Sequence, residues 1–219
     1  MLLIIEKVND VWKPYKFHAD NSRKFLACYN NPVFYKGNFY ALDYNGTLGV
    51  FNLEDSRDER NFDKSNWEVL PETLTQFDGV NPSYLVECEG ELLLVNFERP
   101  FGKLVEVFKL DPCKMKWVKV KSLGNYSLFI SHTSSFSVIA PDSSMANKIY
   151  FSRLHGESER ILYYSLDTGK YHYIGSEQSS EDFYNTKSMV NCTWIEPNWS
   201  PNPAKNTRSL ALKFTATYI

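Results

Sequence analysis

One segment returns three times along this chain at a nearly constant interval: Val50-Phe51-Asn52-Leu53-Glu54, Val107-Phe108-Lys109-Leu110-Asp111 and Tyr163-Tyr164-Ser165-Leu166-Asp167. The central aromatics, Phe51, Phe108 and Tyr164, stand 57 and 56 residues apart. Upstream of each copy lies a turn and an apolar run: Gly37-Asn38-Phe39-Tyr40-Ala41-Leu42, Gly90-Glu91-Leu92-Leu93-Leu94-Val95 and Asn147-Lys148-Ile149-Tyr150-Phe151. Downstream comes an aromatic on a short strand-like run, Trp67, Trp117 and Tyr171, and the earlier Trp12 falls in step with them. A unit of this length cannot bury its apolar faces alone, so the chain must stack its units against one another.

Local chemistry assigns the units to strands. The chain holds 14 Tyr, 15 Phe and 5 Trp, side chains that fit a pleated, half-buried surface, and no helical period runs through the repeats. In the first unit strands are expected near Pro32–Tyr35, Phe39–Leu42, Thr47–Leu53 and Asn66–Leu70, with Asp43-Tyr44-Asn45-Gly46 as a hairpin turn whose Asn-Gly pair tolerates positive φ. The second unit gives Ser83–Glu87, Glu91–Asn96, Leu104–Leu110 and Met115–Lys121; the third gives Ser135–Ala140, Lys148–Ser152, Ile161–Leu166 and Lys170–Ile174. An acid closes the third strand of each unit, Glu54, Asp111 or Asp167, and Asp there suits the start of a turn.

Four strands per unit and a period near 50 are the signature of a kelch-like β-propeller. The expected fold is all-β, a partial propeller of about three four-stranded blades plus remnant strands. The boundaries are 1–30 for the remnant of a preceding blade, 31–78, 79–124 and 125–176 for the blades, and 177–219 for a closing strand and tail. Met189 to Ile195 is placed as an extra strand closing the ring. Beyond Glu196, the Pro197, Pro201 and Pro203 run reads as a poorly ordered tail, although Ser209 to Ile219 is apolar enough to pack. Three blades are fewer than propellers use, and open edges invite aggregation unless covered, so a fragment of a longer protein is expected.

The repeats carry a resemblance over about residues 11 to 197. It rests on Pro32-Val33-Phe34-Tyr35-Lys36-Gly37-Asn38-Phe39-Tyr40-Ala41-Leu42-Asp43, on Tyr84-Leu85-Val86-Glu87-Cys88-Glu89-Gly90-Glu91-Leu92-Leu93-Leu94-Val95, and on Val107-Phe108-Lys109-Leu110-Asp111 before Trp117. It continues through Ser122-Leu123-Gly124 to Leu128-Phe129-Ile130, then Asn147-Lys148-Ile149-Tyr150-Phe151 and Trp194-Ile195-Glu196-Pro197. These segments resemble the propeller of plant F-box/kelch-repeat proteins of the KIB type. The resemblance implies that the propeller presents a protein substrate while a separate helical F-box docks onto the Skp adaptor of a ubiquitin ligase. No helix-period stretch here resembles an F-box, so the Skp adaptor is an expected partner only if a longer form supplies one. Leu70-Pro71-Glu72-Thr73-Leu74 resembles an F-box opening, but Asp78-Gly79 and Asn81-Pro82 break any helix.

Charge and motifs narrow the function. With 24 basic and 26 acidic residues the formal net charge is −2, and no strong field gathers nucleic acid or anionic lipid. The apolar run Leu2 to Ile5 is shorter than a signal peptide needs, and Glu6 ends it. A cytoplasmic or nuclear protein is expected, with Cys28, Cys88, Cys113 and Cys192 as reduced structural thiols. No GxGxxG, GxxxxGK[ST], GxSxG or HExxH motif occurs. His18, His132, His155 and His172 have no other His or Cys at metal-ligand spacing and are assigned as surface or satisfied histidines. The mixed-charge run from Asp55 to Lys64 lacks calcium-loop spacing and reads as a solvated loop. Lys114-Met115-Lys116-Trp117-Val118-Lys119-Val120-Lys121 reads as an outer strand whose lysines protect an edge rather than a strip for single-stranded nucleic acid. No catalytic residue, metal or cofactor is expected.

Loops on a rigid scaffold carry specificity, and Arg and large aromatics concentrate binding energy there. Tyr44, Arg99, Phe101, Arg153 and His155 are the candidate partner-binding residues; Trp12, Trp67, Trp117 and Tyr171 are assigned to blade packing, with Trp117→Ala expected to cost about 3–5 kcal/mol. The expected function is a non-enzymatic protein-interaction module binding a ubiquitin-ligase substrate. The alternatives are a truncated, non-functional fragment and a small-ligand or enzymatic site at the propeller axis. Against the last stand the apolar first-strand residues Val33, Phe34, Leu85, Val86, Val138 and Ile139.

Overall fold

The computed structural model describes residues 2–8, 11–17, 32–43, 47–52, 67–69, 83–97, 104–132, 134–154, 160–176, 179–180, 187–188 and 193–194. Every regular element among them is a strand. The first two, β1 (Leu2–Val8) and β2 (Val11–Phe17), form an antiparallel hairpin paired along its whole length. The first blade follows as β3 (Val33–Tyr35), β4 (Asn38–Leu42), β5 (Leu48–Asn52) and β6 (Trp67–Val69), hydrogen-bonded in chain order. The second blade repeats the plan with β7 (Tyr84–Cys88), β8 (Glu91–Phe97), β9 (Val105–Asp111) and β10 (Lys116–Val120). These strands lie within two residues of the positions that local chemistry assigns.

Backbone handedness explains why the two inner hairpins match. Lys36-Gly37 and Glu89-Gly90 all have positive φ, at 46°, 84°, 54° and 71°, the twist that joins two strands through a two-residue turn without splaying them. Gly90 N–H also donates to Glu87 Oε1 at 2.7 Å. In the third repeat the equivalent position is Asn147, at φ 56°. Asn tolerates that region better than most residues, and its side chain ties the turn. Leu123 N–H donates to Asn147 Oδ1 at 2.8 Å, and Asn147 Nδ2 donates to Asp167 Oδ1 at 2.6 Å. Asp111 behaves as its sequence position suggests, accepting from the amides of Cys113 and Lys114 at 3.0 and 3.2 Å.

The third blade departs from the four-strand plan. It contains β11 (Tyr126–Ile130), β12 (Ser135–Ile139), β13 (Lys148–Leu154), β14 (Ile161–Ser165) and β15 (Lys170–Tyr173), in the order β12-β11-β13-β14-β15. The additional strand β11 sits between the first and second strands of the repeat, antiparallel to β12 and parallel to β13. Two short strands complete the sheet. Of these, β16 (Ser179–Ser180) pairs with β15, and β17 (Lys187–Ser188) pairs with the end of β13 at Arg153 and Leu154. The parallel pairing of β11 with β13 skips the strand next in the chain and leaves no trace in the sequence period.

Two apolar seams join the blades. Between the first and second lie Tyr35, Leu42, Leu48, Leu85, Leu92, Leu94 and Leu110, with Trp117 packed against them. Between the second and third lie Tyr84, Val86, Val95, Phe97, Leu128, Ile130, Phe151, Leu162, Tyr164 and Tyr171, among others. The second blade is thus covered on both faces, so β8 is almost continuously buried rather than alternating. The first strands β3, β7 and β12 neighbour one another in that order. Val33, Leu85, Val86 and Val138 are buried or half-buried there, but Phe34 and Ile139 are 56% and 63% exposed, so not every apolar first-strand residue serves packing.

Candidate functional site: the mouth of the second seam

At the end of the second seam where β7 and β12 begin and β8 and β13 finish, the seam's aromatic floor comes up to a polar rim. Phe97 closes β8 and Phe151 lies in β13, their ring centroids 5.6 Å apart; Tyr84, at the start of β7, meets Phe97 edge-on at 6.2 Å. Arg153 follows two residues nearer the mouth, within the stretch between Tyr150 and Leu154 where the register of β13 against β14 shifts. His132, in the turn after β11, faces Tyr84 at 6.4 Å. Burial holds the imidazole below its usual range, and the nearby Arg153 guanidinium adds to the shift. His132 therefore stays neutral at physiological pH beside the Arg153 guanidinium.

The rim is built from short hydrogen bonds. Ser83 Oγ donates to Asn96 Oδ1 at 2.9 Å, tying the first strand of the second blade to its second. Ser131 Oγ donates to the Ser134 carbonyl at 2.6 Å, and Ser134 N–H returns to Ser131 Oγ at 3.0 Å, which closes the β11–β12 turn. Trp194 is pinned beside that turn. Its Nε1 donates to the Ile130 carbonyl at 2.9 Å, and its own carbonyl accepts from Ser134 Oγ at 2.8 Å. Among the described residues of the rim, the arrangement orients side chains and places no activating base beside a hydroxyl. Ser83 spends its proton on an amide oxygen rather than a base, and a neutral His132 beside a cation is a poor proton acceptor. Among the described residues no group of three His, Cys, Asp or Glu could hold a metal ion. Burial pushes the Cys88 thiol up, away from the reactive thiolate.

Of the candidate partner-binding residues, the structure describes Arg153, half-buried at this rim. Tyr44, Arg99, Phe101 and His155 lie outside the described residues, as do Leu70 to Leu74, the run from Asp55 to Lys64 and the tail beyond Glu196. Of the packing residues, Tyr171 is fully buried in the second seam, 4.9 Å from Tyr164. Trp117 is only half-buried, and its Nε1 is enclosed without a hydrogen-bond partner. Trp12 and Trp67 stand on β2 and β6, with their side chains outside the described set. Of the segment Met189 to Ile195, the described Thr193 and Trp194 lie against the third blade outside any strand; the others are not described. Sequence reasoning missed His132 as a neighbour of Arg153, and Tyr84 and Phe97 as the rings beside His132. The visible signal was an aromatic at the mouth end of β7 and of β8.

The family model for the KIB1-4 beta-propeller matches residues 2–180. The chain belongs to that family. The relatives of this KIB1-4 propeller include three from Arabidopsis thaliana. F-box protein At3g56470 is 29% identical over 71% of the chain and 40% of its own length. F-box/kelch-repeat protein At1g57790 is 28% identical over 77% and 45%, and F-box protein KIB4 is 26% identical over 89% and 47%. The chain spans less than half the length of these curated relatives. Among the described residues of the KIB1-4 propeller, no helix is long and apolar enough to cross a membrane.

Proposed function

We propose that this propeller is a protein-interaction module that holds a substrate for a ubiquitin ligase, acting by selective binding and without catalysis, in the cytoplasm or nucleus. The observation that carries the reading is the mouth of the second seam: the Arg153 guanidinium near a neutral imidazole, which itself faces the ring cluster of Tyr84, Phe97 and Phe151. Arg and aromatic side chains at one rim combine buried area with directed hydrogen bonds, the composition of interface hot spots. Support also comes from relatives whose names identify them as F-box proteins. An adaptor of the Skp type is a partner where a longer form carries an F-box. The first strands show Phe34 and Ile139 to solvent, side chains with no proton to give or take, which favours binding over a reaction at the axis.

The test is affinity capture from plant extract with the immobilised chain, in parallel with Arg153→Ala, followed by calorimetry with each purified captured protein. A partner lost by Arg153→Ala, with an unchanged thermal melt, supports the reading. Identical capture by both proteins, or turnover of a small molecule by the chain, overturns it.

A further inference from the structure

The outer strand of a blade in this propeller accepts another strand. In the third blade, β16 adds antiparallel to β15 at Tyr171 and His172 and covers part of that edge. The corresponding edge of the second blade, β10, pairs among the described residues with β9 alone. An edge strand directs the N–H and C=O groups of alternate residues outward, a template for one more strand. The chain supplies none locally, because after Val120 it passes on to β11 of the next blade, with the Leu123 N–H fastened to Asn147 on the way. The edge is also held in shape from behind. Its register against β9 is unbroken from Lys116 to Val120, and Asp111 accepts from the turn amides of Cys113 and Lys114.

The side chains mark what such a strand would carry. Lys114, Lys116, Lys119 and Lys121 line the edge, all of them exposed. Lys114 lies 3.9 Å from Asp111 and Lys119 2.5 Å from Glu106, while Lys116 and Lys121 have no ion pair among the described residues. Val118 is 46% exposed and alternation puts it on the same face as Lys116. Trp117 packs against the first seam with its Nε1 enclosed, so the lysines stand without the ring that base stacking needs. A second copy of the edge is disfavoured too, since it would bring eight lysines together. We propose that β10 takes up an extended acidic peptide of a partner protein as a fifth strand of the second blade, with acidic side chains opposite Lys116 and Lys121 and an apolar one opposite Val118.

Main-chain pairing supplies the affinity and the side chains choose the sequence. In an antiparallel strand, an apolar residue followed two places later by Asp or Glu meets first Val118 and then Lys116, because both stand on one face and the incoming chain runs the opposite way. The charge pairs are exposed, so salt screens them and leaves the backbone ladder and the Val118 contact. This edge is the far side of the sheet from β7 and the Arg153 rim, and the inference does not rest on the reading of that rim.

The probe is a dye-labelled, end-blocked peptide, Thr-Glu-Val-Glu-Val-Thr-Glu-Thr, which antiparallel to β10 sets Glu opposite Lys116, Lys119 and Lys121 and Val opposite Val118 and Val120. Binding to the full chain is read by fluorescence anisotropy and by amide hydrogen exchange. Saturable binding is expected, with slowed exchange within Lys116–Val120. Lys116→Glu combined with Lys121→Glu should weaken it about tenfold at an unchanged thermal melt, since neither lysine holds an ion pair within the fold. N-methylation of alternate peptide amides should abolish binding in one of its two phases, the one that blocks the amides facing β10. Absence of binding, equal binding by the charge-reversed chain, equal binding of both N-methylated peptides, or protection that falls elsewhere overturns the proposal. So does displacement of the peptide by an oligothymidylate of the same charge as readily as by unlabelled peptide, since the strip would then serve nucleic acid.

Discussion

The two seams of this propeller are built from different material. The first is leucine-rich, with Leu42, Leu48, Leu85, Leu92, Leu94 and Leu110 around Tyr35. It encloses two polar atoms without partners, Tyr35 Oη and Trp117 Nε1. The second sets six rings, Tyr84, Phe97, Phe151, Tyr164, Tyr171 and Tyr173, among its aliphatic side chains, and its base is pinned by the hydrogen bonds of Asn147. Leucines fill space without direction, while edge-to-face rings and a buried amide fix how one sheet sits on the next. The candidate binding residue Arg153 rises from the second seam, the one that holds its neighbours in a single arrangement. A binding surface needs that rigidity more than it needs buried area.

The largest effect is expected in the second seam. Tyr171→Ala empties a fully buried site and should cost about 3–5 kcal/mol, read as a lowered urea midpoint; a loss no greater than that of Trp117→Ala would break the contrast between the seams. Trp117→Ala itself should cost less than the 3–5 kcal/mol expected from its place in the repeat, because the side chain is half-buried and its N–H satisfies nothing.

Asn147→Ala should come next, at about 2–3 kcal/mol, since it strands the buried amide of Leu123 and puts a Cβ residue less suited to φ 56° at the turn. Asn147→Gly relieves the backbone but not the amide, so it should recover part of the loss; full recovery would mean that the hydrogen bonds contribute nothing. In the first seam the sign reverses. Tyr35→Phe removes a polar atom that has no partner and should be neutral or raise stability by about 1 kcal/mol, and a clear loss would show that the hydroxyl is satisfied after all.

The smallest effect is the pH dependence at the mouth. His132 is held below its ordinary value of 6.5 by burial and by Arg153, so the folded chain binds fewer protons than the unfolded one just below that value. Stability should be full above the ordinary histidine range and fall as pH drops through and below it. Burial, Lys148 and Lys170 depress His172 in the same direction. His132→Gln should flatten part of that slope in melts taken between about pH 7 and pH 5, and an unchanged slope would assign it elsewhere.

Much of the fold was legible because its signals are local. The Gly37 and Gly90 turns, the alternation of β9 and the acid at Asp111 each act within a few residues, and strands so marked pair with their chain neighbours. The site was far less legible. Arg153 could be named as a loop-end cation, but Tyr84, Phe97 and His132 come from three other segments, and only the packing of one blade on another brings them to one rim.

The sequence by itself determined the repeat, the four strands of each of the first two blades and the family, since period, turn residues and apolar alternation are properties of short segments. Tertiary structure alone decided that β11 enters between β12 and β13, that Phe136, Phe129, Tyr150, Tyr163 and His172 from five strands fall into one row of rings, and that Trp194 is pinned against Phe129 of that row. Nonlocal strand pairing is chosen by which edges are free when the sheets meet and by which side chains then fill the space between them. That choice is a property of the assembled blades, and no window of the chain carries it.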